Sequence, residues 1–358
     1  MAVHKVVIVG AGIAGLATAV ALKRVGIPAL VLERSHELRA TGAALTLTPN
    51  AWRALDALGV AHKLTSIYTP FQKGSITNVV TGATQRVSYA GTLDREGLEV
   101  RSVHRRALLK ALAEELPTAT IRFSSKLMSI RTETLQDLPV YVVHMDGEQV
   151  VKTKVLIGCD GVHSVIAQWL GLSAPVHSGR AAVRGLAIFP EGHGLNHEVQ
   201  QIIGDGGRGG EWARDPELIQ KLPWDLIFKN ACKGTVTVAG DAMHPMTPDL
   251  GQGGCSALED AVVLGRNIRN SLLENGKFEQ KRVEEGLKKY VKERRWRVSG
   301  LIAGAYLSGW IQQESSGWLM KFIREKIFYG LIYNKLADAI HYDCGKLPSA
   351  SSLENAPE

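Results

Sequence analysis

The sequence has few cysteines, and their placement excludes two kinds of stabilised domain. Its 358 residues include only Cys159, Cys232, Cys255 and Cys344, too few and too scattered for a disulfide framework. No Cys-x-x-Cys pair suggests a zinc site, and we predict no metal centre. These features indicate a reducing compartment, and with no transit segment in view the cytoplasm is the predicted location.

Long apolar runs are also scarce. Apolar residues make up 45% of the chain and charged residues 22%, which argues against a largely disordered chain or a multi-span membrane protein. Residues 6–22 imitate a membrane helix, but they lack a cleavage site and contain three spaced glycines, so we interpret them as a strand and a helix. We predict no stable membrane insertion and leave peripheral contact open.

Positive charge is in excess, with a formal net charge of +7. Much of the excess lies in residues 277–297, where glutamates are interspersed among the cations. That mixture favours a solvated helix face over a nucleic-acid surface, because no nucleic-acid motif accompanies it. We therefore predict no nucleic-acid partner.

Glycine is the abundant residue: 37 of 358, or about 10% against a usual share near 7%. Gly10, Gly12 and Gly15 form a Gly-x-Gly-x-x-Gly motif between a β-branched run and a helical pattern, and Glu33 ends the next strand pattern. In a βαβ unit, these glycines allow a tight turn, close approach of a pyrophosphate and helix packing, while Glu33 accepts ribose hydroxyls. The motif predicts a dinucleotide site but does not separate NAD from FAD.

Two further strand ends carry acidic corners. Residues 155–161 run into Asp160-Gly161, and residues 235–241 run into Gly240-Asp241. Their order, together with the loop and helix start at residues 244–260, resembles the flavoprotein aromatic hydroxylases, and within them plant FAD-dependent monooxygenases similar to salicylate hydroxylase and zeaxanthin epoxidase. The resemblance runs from Val6 to about Gln313.

The resemblance implies an α/β fold, with a Rossmann-like FAD-binding domain, an inserted and shortened β-sheet substrate domain, and C-terminal helices. It implies that Asp241 bonds the FAD ribityl chain, that Asp160 supports the pyrophosphate region and serves NAD(P)H, and that Arg105 contacts the cofactor. The predicted cofactor-binding residues are Gly10, Gly12, Ala14, Gly15, Glu33, Arg34, Ala44, Arg105, Asp160, Gly240, Asp241, Pro248, Gly251, Gly253 and Gly254. Thr46, Leu47, Pro248 and Gly251 are predicted to border the substrate pocket.

The implied reaction is that of an FAD- and NAD(P)H-dependent monooxygenase. A flavin C4a-hydroperoxide would pass one oxygen atom of O2 to a small aromatic or isoprenoid-like substrate, so the protein must exclude water. Backbone N–H groups of the loop from Pro248 to Gly254 and the following helix would stabilise negative charge on the flavin. For His163 and His244 a hydrogen-bonded structural role is favoured over acid–base catalysis.

The predicted boundaries are 1–75, 101–175 and 231–313 for the FAD-binding domain, 76–100 and 176–230 for the substrate domain, 314–346 for the C-terminal helices and 347–358 for a disordered tail. Within the substrate domain, residues 200–222 are too few for the further strands and crossover helix that the resemblance implies. A missing sheet edge would let water reach the flavin.

Two alternatives to a working monooxygenase follow. One is a flavin-binding homologue with little or no oxygenase activity and a binding, regulatory or non-redox role, which the shortened segment motivates. The other is an NAD-dependent dehydrogenase. That alternative does not explain the Gly240-Asp241 motif. The aromatic stretch at residues 310–333 fits core packing, a pocket cap, a dimer contact or a membrane contact, with core packing favoured.

Overall fold

The computed structural model of the chain describes residues 3–38, 44–71, 73–79, 81–88, 98–181, 189–191, 198–204, 207–208, 217–222, 224–273, 278–313 and 339–348. The strands are β1 (Val3–Val9), β2 (Ala29–Leu32), β3 (Ala44–Leu47), β4 (Lys73–Asn78), β5 (Thr84–Ser88), β6 (Arg101–His104), β7 (Ile121–Arg122), β8 (Leu127–Leu135), β9 (Leu138–Met145), β10 (Val150–Gly158), β11 (Val176–Ala181), β12 (Val199–Gly204), β13 (Gly207–Arg208), β14 (Glu217–Gln220), β15 (Cys232–Lys233) and β16 (Val236–Val238). The helices are α1 (Ile13–Arg24), α2 (Pro49–Ala57), α3 (Ala61–Thr65), α4 (Arg105–Ala113), α5 (Val165–Trp169), α6 (Asp225–Phe228), α7 (Gly253–Leu273) and α8 (Gln280–Gln313).

A parallel sheet forms the centre of the molecule. Its order is β15-β16-β10-β1-β2-β7, and the strands from β16 to β7 are all parallel. The hairpin β8–β9 joins through an antiparallel pairing of β9 with β10. This arrangement confirms the predicted α/β class with a Rossmann-like sheet, and it places the carboxyl ends of five neighbouring strands along one edge.

Helix α1 lies between the sheet and α7. Its residues from Ala14 to Leu22 are all buried, which is the pattern of a helix covered on every side rather than on one stripe. Where α1 crosses α7, a Cβ added to Gly265 would lie 2.9 Å from the Cβ of Ala21. The two helices therefore approach closely, and α8 also packs against α7.

A second, smaller sheet has the order β13-β12-β4-β5. Its central pair, β4 and β12, is parallel and joins residues more than one hundred positions apart, with Gly74 opposite Val199. The predicted boundary at 75/76 falls within β4, which pairs with β5 from Lys73 onward. A further antiparallel pair joins β11 to β14.

The chain beyond α8 is described again from residue 339. Ala339–His341 form one 3-10 turn, and residues 342–346, the last part of the predicted C-terminal helical unit, are irregular. The tail predicted to be disordered begins with an ordered residue, because Leu347 packs against the hydrophobic core. Most of the aromatic stretch at residues 310–333 lies outside the description.

Two findings bear on partners. Within the described parts of the chain, no helix is long and apolar enough to cross a membrane. The same residues contain no group of three or more His, Cys, Asp and Glu side chains arranged to hold a metal ion.

Candidate functional site

A cavity of about 690 Å³ opens at the carboxyl ends of the parallel strands, within the usual size range of ligand pockets. Loops that follow β1, β2, β10 and β16 all reach it, as expected for an open α/β sheet. The structure therefore brings together the three glycine–acid corners predicted from the sequence. The predicted residues that line the cavity are Gly10, Gly12, Ala14, Glu33, Arg34, Ala44, Arg105, Asp160, Asp241, Pro248, Gly251, Gly253 and Gly254.

The first glycine corner has two tight positions and one open one. A Cβ on Gly10 would lie 2.3 Å from the carbonyl oxygen of Cys159, and one on Gly15 would lie 1.8 Å from the carbonyl oxygen of Gly10. Gly15 thus serves helix packing and does not line the cavity. A Cβ on Gly12 would meet no atom within 4 Å, so the backbone there faces open cavity. No side chain caps the N-terminus of α1 at Gly12, which leaves its N–H groups for an anion.

Glu33 is anchored at the edge of this corner. Its carboxylate accepts hydrogen bonds from the backbone N–H of Ala11 at 2.7 Å and from that of Ser35 at 2.9 Å, and the residue is only 4% exposed. Each carboxylate oxygen can accept a second bond. Glu33 therefore fixes the glycine turn while retaining acceptor capacity towards the cavity.

Asp160 is held by the start of α5. The Ser164 hydroxyl donates to it at 2.6 Å, and the backbone N–H of Val165 at 2.8 Å. Burial raises the pKa of the Asp160 carboxyl above its ordinary value, against the opposing effect of these bonds. The side chain therefore combines a helix-capping role with a place in the cavity wall.

The second acidic corner depends on a residue of α7. Asp260 is fully buried and accepts hydrogen bonds from the backbone N–H of Gly240 at 2.8 Å and from Arg294 Nε at 2.7 Å, and it pairs with His244 Nε2 at 2.6 Å. Gly240 itself lies behind the lining, against Ala14. Asp260 thus holds the turn that presents Asp241 to the cavity.

Glu259, the preceding residue of α7, supports a second part of the site. Its carboxylate pairs with Arg294 Nη1 at 2.6 Å and with Arg297 Nη2 at 2.9 Å. The Asn50 amide donates to Glu259 at 2.5 Å and to the side-chain oxygen of Gln252 at 2.9 Å. Glu259 therefore connects α2 and the loop that begins at Pro248 to the arginines of α8. We call Glu259, Asp260, Arg294 and Arg297 the ion cluster.

The charges of the ion cluster support one another. Burial alone would raise the pKa values of both carboxyls, but Arg294 and Arg297 hold that of Glu259 below its ordinary value, and His244 and Arg294 do so for Asp260. Burial would lower the pKa of Arg294, yet Glu259 and Asp260 raise it. Both carboxylates are thus ionised at neutral pH. Their stabilising effect is present above the unfolded pKa and is lost as the pH falls through the folded one.

The burial of the ion cluster contradicts one prediction made from the sequence. The charged run at residues 277–297 was predicted to be a solvated face, but Arg294 is fully buried and Arg297 is mostly buried. These two cations neutralise carboxylates in α7 instead of facing water.

The predicted histidines take different places. His244 is fully buried and bonded to Asp260, as expected for a structural histidine, while its Nδ1 has no partner in the described structure. His163 lines the cavity beside Gly161.

Two predicted pocket residues are not at the cavity. Leu47 is fully buried in the core, where its carbonyl accepts a bond from the Trp52 indole at 3.2 Å. Thr46 is likewise outside the lining, and its carbonyl faces the Cys255 thiol at 3.8 Å. Strand β3 instead contributes Ala44 and Leu45 to the cavity.

Sequence reasoning missed several lining residues. Ser125, Lys126 and Leu127 follow β7, the next parallel strand after β2. Their position directly after a parallel strand could have identified them, because the carboxyl end of every parallel strand reaches this edge. Met246 and Thr247 also line the cavity, in the segment between the second acidic corner and Pro248.

The chain matches the FAD binding domain family over residues 4–206 and 219–305, and it belongs to that family of FAD-dependent aromatic hydroxylases and monooxygenases. It is thus an FAD-dependent monooxygenase, an oxidoreductase. This assignment decides against the dehydrogenase alternative.

Two proteins of Arabidopsis thaliana are similar over nearly their whole length. Monooxygenase 2 is 39% identical, with 96% of this chain and 98% of that protein covered, and Monooxygenase 1 is 35% identical, with 96% and 99% covered. A FAD-dependent urate hydroxylase of Mycolicibacterium vanbaalenii is 29% identical over 73% of this chain and 78% of its own length. The alignment with Monooxygenase 2 spans 404 residues, more than this chain contains, so the chain lacks residues that the relative has.

Among solved structures, Klebsiella pneumoniae HpxO complexed with FAD and uric acid superposes with a TM-score of 0.74 at 23% identity, covering 96% of this chain and 98% of that one. A single-residue variant of the same protein, complexed with FAD, gives a TM-score of 0.75 at 24% identity. At this identity the comparison supports the fold.

Proposed function

We propose that the protein is an FAD- and NAD(P)H-dependent monooxygenase that inserts one oxygen atom of O2 into a small aromatic or isoprenoid-like substrate. The convergence of three glycine–acid corners on one cavity carries this proposal. Family membership supplies the cofactor class, and the lining residues supply a place for it.

The residues present fit FAD. The open position at Gly12, beside the uncapped start of α1, suits the pyrophosphate, and Glu33 with its remaining acceptor capacity suits the adenosine ribose. Asp241 and Arg105 both line the cavity; in this proposal Asp241 would accept a bond from a ribityl hydroxyl, and Arg105 would contribute a fixed positive charge. The glycine loop before α7 leaves room for the ring system.

A bound flavin would supply the redox chemistry, with NAD(P)H as the proposed reductant and O2 as the source of the oxygen atom. The protein's part is to orient the cofactor and to exclude water. The N-terminus of α7, at Gly253, lines the cavity, and its N–H groups would stabilise negative charge on a cofactor bound there.

The names of the relatives support the proposed substrate class. Urate hydroxylases and a 3-hydroxybenzoate 6-hydroxylase of Klebsiella oxytoca, 28% identical over 74% of this chain, act on flat ring compounds. We expect this chain to accept a compound of that kind.

The test is direct. Purified protein should show the visible absorbance of oxidised flavin, and it should oxidise NADH or NADPH faster when phenolic acids or related ring compounds are added, with an oxygenated product. Protein without flavin, or NAD(P)H oxidation that no ring compound accelerates, would contradict the proposal.

A second candidate is a flavoprotein that reduces O2 without oxygenating a substrate. The family match is interrupted at residues 207–218, inside the segment predicted to be shortened, and loss of a sheet edge there would admit water. The ratio of hydrogen peroxide formed to NAD(P)H consumed separates the two. A ratio near one with every ring compound favours the second candidate, and a ratio that falls as product appears favours the first.

We expect Asp241→Ala to weaken FAD binding about tenfold to a hundredfold, because one charge-assisted hydrogen bond to the cofactor is lost. Titration of the apoprotein with FAD, followed by flavin fluorescence, measures the change. Asp56→Ala, which removes an exposed carboxylate of α2 away from the cavity, is the control. Equal affinities for the two variants would mean that Asp241 does not touch FAD.

A further inference from the structure

Tyr342 lies over both arginines of the ion cluster. Its ring centroid is 4.7 Å from Arg297 Cζ and 5.3 Å from Arg294 Cζ, within the range of cation–π attraction. Its hydroxyl donates to Glu293 at 3.3 Å. One aromatic ring therefore covers the two cations that neutralise Glu259 and Asp260.

The residues before Tyr342 are tied to the same region. Arg297 Nη2 donates to the Ala339 carbonyl at 2.6 Å, and Arg53 Nη1 of α2 donates to the His341 carbonyl at 2.6 Å. Residues 339–348, which we call the C-terminal segment, are thus bonded to α2 and to α8, the helix that carries the arginines of the ion cluster.

The residues after Tyr342 anchor the segment independently. Cys344 is fully buried, and its carbonyl accepts a bond from Arg266 Nη2 at 3.2 Å. Leu347 reaches α7, with its Cδ2 atom 3.3 Å from a Cβ added to Gly265. Tyr342 is therefore held from both sides and has a fixed position over the arginines.

No residue of the C-terminal segment lines the cavity, yet a chain of contacts joins the segment to the cavity wall. Tyr342 covers Arg294 and Arg297, and these pair with Glu259 and Asp260. Asp260 in turn holds the turn at Gly240, and Glu259 is linked through Asn50 to Gln252 in the loop before α7. We propose that Tyr342 is a positioning residue for the cofactor, acting through the ion cluster on the turn at Gly240 and on the loop at Gln252. This inference rests on the FAD placement proposed above.

The physical effect of Tyr342 is twofold. The ring restricts the rotamers of two long side chains, and it shields one face of each guanidinium from water, which strengthens the ion pairs beneath it. Without the ring, the arginines gain freedom and hydration, and the carboxylates hold the two walls less firmly.

The experiment compares Tyr342→Ala with Tyr342→Phe in the full chain. We expect Tyr342→Ala to raise the FAD dissociation constant about tenfold and to shift the visible absorbance spectrum of the bound flavin. Tyr342→Phe, which keeps the ring and loses only the hydroxyl, should stay within about twofold of the unaltered protein. Should Tyr342→Ala not fold, Tyr342→Leu fills the volume without a π-face and carries the same expectation.

The control for general destabilisation is Leu64→Ala, a core truncation in α3 away from the cavity. It lowers stability but should leave FAD affinity and spectrum unchanged. Unchanged affinity in Tyr342→Ala, an equal loss in Tyr342→Phe, or an equal loss in Leu64→Ala would each overturn the inference. A Gly12→Val variant tests the FAD placement itself, because the new side chain would fill the open space where the pyrophosphate is proposed to lie. Loss of FAD in Gly12→Val with unchanged affinity in Tyr342→Ala would refute the positioning role alone. Full retention of FAD in Gly12→Val would refute the placement.

Discussion

The Gly12→Val variant should fold normally and retain no detectable FAD. The backbone at Gly12 has φ −77° and ψ −171°, an extended conformation that valine adopts readily. Its side chain would occupy the open space beside the start of α1, where the pyrophosphate is proposed to lie. We expect the purified protein to be colourless while its free energy of unfolding, measured on apoprotein in urea, stays within about 1 kcal/mol of the unaltered chain.

Gly300→Val provides a matched comparison. A Cβ at Gly300 also meets nothing within 4 Å, but this residue is exposed on α8, far along the chain from the cavity lining. That variant should keep its flavin. If Gly12→Val purifies with full flavin occupancy, the pyrophosphate does not lie against α1.

Replacing Arg294 with methionine should produce the largest loss of stability. Arg294 is fully buried and neutralises Glu259 and Asp260, so its removal leaves two buried carboxylates with fewer compensating charges. Breaking a buried ion pair from one side costs about 3–5 kcal/mol. Urea denaturation of the apoprotein measures this cost, and FAD affinity should fall as well because both cavity walls depend on these carboxylates.

Lys288→Met serves as the comparison on the same helix. Lys288 pairs with Glu284 at 2.6 Å on the surface, and exposed pairs contribute little. Its denaturation midpoint should be nearly that of the unaltered chain. Arg294→Lys keeps the charge but loses the planar fork, so we expect an intermediate stability. Wild-type stability in Arg294→Met would show that the ion cluster does not stabilise the fold.

The sequence predicts the local parts of the site well. Gly10, Glu33, Asp160 and Asp241 each end a strand pattern, and the parallel sheet then brings the strand ends to one edge. This step needs only the rule that connections in such sheets have a fixed hand and that ligands bind at the carboxyl ends.

Long-range partners escape the sequence. Arg294 and Lys288 occur in one charged run, and nothing local shows that one is buried against α7 while the other faces water. The same holds for Leu47, whose place in the core depends on α2 packing over β3. The parallel pairing of β4 with β12 also depends on contacts across much of the chain, which no short window of residues contains.

The order in which the cavity is assembled has a consequence for synthesis. Its lining begins at Val9 and is complete only with Ala257, and the arginines that secure two of its walls come later still. A growing polypeptide on the ribosome can form the first glycine turn early, but it cannot enclose a cofactor until most of its length has been made. We therefore expect the chain to take up FAD only after synthesis has passed residue 257.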